Sequence, residues 1–123
     1  MPHLIIETTA DIAALPDFDA SALLEAGLGA LRDLGEYDMS AAKARTRVLT
    51  DYRVDLPHDG TGFIAVSLRI LPGRDERLRA RTSQAIARAV AEAAPAGATG
   101  TVSVEVVEVV EMEGHSYTKV ALG

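Results

Sequence analysis

The chain has 123 residues, enough for one domain with a modest core and too few for two. Hydrophobic residues make up 48% and charged residues 24%, aromatics reach only 4% with no Trp, and the net charge is −6, which excludes an aromatic stacking platform or a basic track for nucleic acid. The absence of Cys excludes a disulfide framework, a thiolate zinc site and a cysteine nucleophile.

The chain opens MPHLIIETTAD, where the apolar run Leu4, Ile5 and Ile6 predicts a largely buried strand. Pro2 at its head is tolerated, since a first-strand residue loses no ladder bond. Once the initiator Met is removed, however, the same proline carries a secondary amine, a base that no internal side chain supplies. After a loop at Leu15-Pro16-Asp17, a helix is expected from Asp19 or Ser21 to Leu34. Leu24, Leu28 and Leu31 keep the helical spacing, and Gly35 supplies a stop. A second strand is expected over Ala44 to Asp55 and a turn over Pro57 to Gly62.

FIAVSLRIL, Phe63 to Leu71, is the clearest apolar strand. A second helix is expected from Asp75 to Ala94, with Leu78, Ala85, Ile86, Ala89, Val90 and Ala93 on one stripe, Asp75 as cap and Pro95 and Gly97 as terminators. In Thr101 to Met112 glutamates recur every third residue, but the density of valine predicts a strand. His115 to Leu122 is expected to add a short final strand.

The order is β-α-β twice, each half a right-handed crossover between parallel strands. The expected fold class is α+β: a four-stranded mixed sheet with both helices on one face, in one domain over residues 1–123. The opposite face, expected to be apolar, would then need cover from a second copy, so a symmetric homo-oligomer is expected. No basic n-region precedes an apolar stretch at the N-terminus, and no apolar run reaches the ~20 residues of a membrane span. A cytoplasmic location without a membrane partner is the expectation. His3, His58 and His115 are too scattered for metal-ligand spacing, and no metal or cofactor is expected.

Three features could carry chemistry. Pro2 begins the first strand, Arg45 and Arg47 fall on one side of the second, and Arg74 follows the Pro72-Gly73 turn into the second helix. A parallel crossover puts the starts of the first two strands at one end of the sheet, so Pro2 and Arg45 are expected near each other. Singly, each has a plain structural reading: a strand's first residue, a solvated face, a turn residue.

Together they resemble the tautomerase superfamily, and within it the 5-carboxymethyl-2-hydroxymuconate isomerases. The resemblance rests on MPH with Glu7, on RTRV at Arg45 to Val48 and on Gly73–Arg74, and it spans essentially the whole chain. It implies a trimer acting on a small anionic dienol, with Pro2 as general base and Arg74 as catalytic charge stabiliser. Arg45 is implied as a carboxylate ligand, with Arg47 the other candidate. One departure is visible: such isomerases often carry an acid where this chain has Arg77. The implied reaction moves a proton from the enol oxygen of a 2-hydroxy-2,4-dienoate to carbon, in aromatic-compound catabolism. Another activity of the superfamily, keto–enol tautomerisation or dehalogenation, fits the same residues, and so does a non-catalytic ligand-binding βαβ module.

Overall fold

The computed structural model describes residues 2–109 and 118–123. Strand β1 (His3–Thr9) is followed by the single turn α1 (Ala10–Ala13), helix α2 (Ala20–Leu34), a 3₁₀ turn at Met39–Ala41 and strand β2 (Lys43–Leu49). The second half comprises β3 (Gly62–Ile70), α3 (Glu76–Ala93) and β4 (Gly100–Glu108). The sheet order is β2-β1-β3-β4, with β1 parallel to β2, β3 parallel to β4, and β1 antiparallel to β3 at the centre. This is the expected mixed sheet.

Alternation in the strands sets the two faces. Leu4 and Ile6 of β1 and Ile64, Val66, Leu68 and Ile70 of β3 are buried, and Leu23 and Leu31 of α2 with Ile86 and Val90 of α3 close over them. Burying each such side chain is worth roughly 1.5–3 kcal/mol, so this layer is the main source of stability. Both long helices start on an aspartate cap. Asp19 accepts from the Ala22 N–H at 3.2 Å and Asp75 from the Leu78 N–H at 2.8 Å. Gly35, left-handed at φ 71°, ends α2.

The buried line of α2 is Leu23, Gly27 and Leu31, with Leu24 and Leu28 only flanking it. Gly27 lies where the helix crosses Leu4, and any Cβ there would overlap that side chain. In α3, Thr82 joins Ile86 and Val90 in the core, a polar position that the apolar stripe did not reveal.

Four expectations change. The second strand ends at Leu49, because Tyr52 leaves it to pack edge-on against His58 and Phe63, and Asp55 adopts a left-handed φ of 69°. The last strand ends at Glu108, and residues 110–112 of its expected range lie outside the described residues. Of the expected tail strand, residues 115–117 also lie outside them, and 118–122 form no strand. The face away from the helices is less apolar than expected: Val102, Val104 and Val106 turn inward, leaving Thr101, Ser103, Glu105 and Val107 on the open side.

Gly100 pairs with Gly62 where β3 and β4 begin, at φ 118°. A Cβ at Gly100 would run into the Gly62 carbonyl, which is backbone and has no rotamer to escape into. Gly100→Ala is therefore expected to cost about 1–3 kcal/mol or more, read as a lowered thermal midpoint. An unchanged midpoint would show that these strands do not meet this closely.

Candidate active site

Even-numbered residues of β1 face the helices, and Pro2, one step before the strand, continues that alternation and is buried. The Pro2 carbonyl accepts the Lys43 N–H at 3.0 Å, tying the first strand's start to that of β2. Beside Pro2 opens a hollow of about 220 Å³ lined by Tyr37, Asp38, Ile70, Leu71 and Arg74. The chain thus brings two of the expected site residues, Pro2 and Arg74, to one small pocket with apolar walls.

Arg74 is fixed from three sides. Its guanidinium stacks over the Tyr37 ring, 4.5 Å from the centroid, and donates to the Glu36 carbonyl at 3.3 Å. Its own carbonyl accepts from Arg79, whose guanidinium is also paired with Glu108 at 2.7 Å. Glu108 and Arg79 thereby position the Arg74 backbone from β4.

Neither Tyr37 nor Asp38 was anticipated from sequence. Tyr37 is buried, and its hydroxyl lies 2.8 Å from that of Thr82, which itself donates to the Leu78 carbonyl. Because a hydroxyl has one proton, Tyr37 must donate to Thr82. Its ring, not its hydroxyl, serves the pocket. Asp38 is exposed, and its carboxylate accepts from the Ser40 N–H and hydroxyl at 3.1 and 2.6 Å. Those two bonds hold its carboxyl below the usual range, with smaller help from the N-terminal charge and Lys119. The one available signal was an aspartate two residues before a serine just after a helix stop.

Arg45 and Arg47 go elsewhere. They pair in register with Ile5 and Glu7, on the sheet face away from the helices and from the Pro2 pocket. Both are exposed, and Arg47 stands 3.9 Å from Glu7. On that open face Lys43, His3 and Arg69 form a row across three strands. Burial holds the His3 pKa down, reinforced by the N-terminal charge and by Arg45, Lys43 and Arg69.

A larger hollow, about 410 Å³, lies beside the C-terminal end of α3 among Ile12, Ile64, Ala91, Pro95 and Val102, with Glu92 as its one ionisable side chain. Unlike the smaller pocket, it holds no cationic side chain. Among the described residues no cluster of His, Asp and Glu could hold a metal ion, and no helix is long and apolar enough to cross a membrane.

A sequence profile of the 5-carboxymethyl-2-hydroxymuconate isomerase family matches residues 2–119. The chain belongs to that family. It is accordingly an isomerase of the tautomerase superfamily. A 5-carboxymethyl-2-hydroxymuconate isomerase from Deinococcus radiodurans superposes with TM-score 0.79 at 24% identity, over 96% of this chain and 87% of that one. A second structure, a 5-carboxymethyl-2-hydroxymuconate delta-isomerase, gives 0.66 at 19% identity, over 100% and 89%. A fused 4-OT symmetric trimer gives 0.71 at 21% identity, over 88% and 85%. At such identities the structures speak for the fold, and membership rests on the profile. No curated protein matches the chain in sequence.

Proposed function

We propose that this family member converts a 2-hydroxy-2,4-dienoate such as 5-carboxymethyl-2-hydroxymuconate to its unsaturated 2-oxo acid, in cytoplasmic aromatic-compound catabolism. Pro2, freed by removal of Met1, is the general base and Arg74 the charge stabiliser. The observation that carries this reading is the shared pocket of Pro2 and Arg74.

The Pro2 amine takes the proton from the enol oxygen. The electron pair moves through the diene, and the resulting ammonium returns a proton to the carbon at its far end. Net, one O–H bond becomes one C–H bond and the double bonds shift. Burial of Pro2 and the nearby Arg74 disfavour the ammonium, while the Asp38 carboxylate favours it. An amine between these influences can both accept and donate near neutrality. Negative charge grows on the 2-oxo oxygen, and a guanidinium already fixed by Tyr37 and Glu36 stabilises it without reorganising.

The working assembly in this reading is a homotrimer, the arrangement named for the 4-OT neighbour. The charge distribution favours a head-to-tail ring. The open sheet face carries Lys43, Arg45 and Arg69 although the whole chain is at −6, so that face attracts a different, acidic surface of the next copy and repels its own kind. In such a ring Arg45 and Arg47 would serve as substrate-binding residues of an adjacent protomer's pocket. Sedimentation at micromolar protein is expected to give three chain masses, and a monomer would remove Arg45 and Arg47 from the site.

The direct test of the reaction is spectrophotometric. The processed protein is expected to bleach the dienol chromophore of 2-hydroxymuconate and 5-carboxymethyl-2-hydroxymuconate faster than buffer does. Equal rates with and without protein would end this reading.

A further inference from the structure

Arg74 forms a wall shared by two hollows. On its outer side lies a second one, about 350 Å³, lined by Glu36, Gly73, Asp75, Arg77, Leu78 and Arg81 as well as Arg74 itself. Arg77 and Arg81 are four residues apart on α3, so they share a helix face at an axial separation of about 6 Å. Both are exposed, and neither joins the ion pairs found among the described residues. Arg79, between them, is committed to Glu108 and the Arg74 carbonyl.

The placement is electrostatically unfavourable as it stands. Arg77 lies in the first turn of α3, where the helix dipole is positive, and it repels the like charge of Arg81 four residues on. Two carboxylates, Glu36 and the capping Asp75, also line the hollow, so three guanidinium groups there face two negative charges. A bound anion would relieve this repulsion, and the hollow adjoins the Pro2 pocket through the Arg74 side chain.

We propose that Arg77 and Arg81, with the outer edge of Arg74, form a second anion subsite that takes the carboxylates remote from the reacting enol. It makes the site selective for dienols with several carboxylates over those with one. The substrate part of this inference rests on the dienol-isomerase reading above, whereas carboxylate binding at the subsite does not.

The test combines binding and kinetics. Calorimetry with propane-1,2,3-tricarboxylate and with butanoate is run on the wild type, on Arg77→Gln/Arg81→Gln, and on Arg53→Gln/Arg88→Gln. The last pair removes equal charge away from the hollow. The subsite variant is expected to bind the tricarboxylate about tenfold or more weakly, with butanoate unchanged and the control variant like the wild type. An unchanged tricarboxylate affinity, an equal loss for both ligands, or an equal loss in the control pair overturns the proposal. In kinetics the same variant is expected to raise KM for 5-carboxymethyl-2-hydroxymuconate and leave 2-hydroxypenta-2,4-dienoate unaffected; equal KM changes for both substrates overturn it. If the wild type turns over neither dienol, the isomerase reading fails while the calorimetry still decides the subsite.

Discussion

Protein that retains Met1 is expected to isomerise dienols about 10²–10⁴-fold more slowly than processed protein, the range general base catalysis supplies. With Met1 in place, the Pro2 nitrogen is a tertiary amide without a basic lone pair. The pocket keeps its walls and Arg74, so substrate binding is expected to survive better than turnover. Intact mass separates the two forms before assay, and equal rates would reduce Pro2 to the residue that leads into β1. The pH profile gives a second readout. The rate is expected to rise with pH as the ammonium loses its proton. Asp38, kept ionised by Ser40, stabilises that ammonium, so Asp38→Asn is expected to move the acid limb to lower pH. A limb that stays in place would mean that Asp38 does not act on the titrating amine.

Arg74→Ala is expected to cost about 10²–10³ in kcat, the usual loss when one fixed donor to a developing oxyanion is removed. The guanidinium is oriented before substrate arrives, by the Tyr37 ring at 4.5 Å, the Glu36 carbonyl and the Arg79 bond to its backbone. Arg74→Lys is expected to recover only part of the loss. A lysine keeps the charge but cannot lie flat on Tyr37 and present a planar fork at once. A loss confined to KM would assign Arg74 to ground-state carboxylate binding instead of the charge that builds during reaction. Both substitutions leave the buried layer of Leu4, Leu68, Ile86 and Val90 untouched, so the thermal midpoint separates chemistry from folding.

Element order, helix boundaries and caps were legible locally. Asp19, Gly35 and Asp75 act within a turn of where they stand in the chain, and Leu34 and Ala93 end helices within a residue of expectation. Strand ends were less legible, since Tyr52 is drawn off β2 by His58 and Phe63, partners brought to it by the loop. Within the pocket, Pro2 and Arg74 could be named because one stands directly after Met1 ahead of the first strand and the other follows a Pro-Gly turn. Tyr37 could not, because its place depends on Thr82, forty-five positions away.

By itself the sequence determined two βαβ halves, helices that bury one stripe each, and a proline at position 2 just ahead of the first strand, since propensity, capping and periodicity act over a few residues. Only the tertiary structure decided which side of the sheet each residue serves. The register that sets Leu4 opposite Ala44 and Ile5 opposite Arg45 sends Pro2 toward Arg74 and the two β2 arginines to the opposite face. Alternation in KARTRVL fits either side of a sheet equally well; long-range pairing and the burial of β3 choose between them.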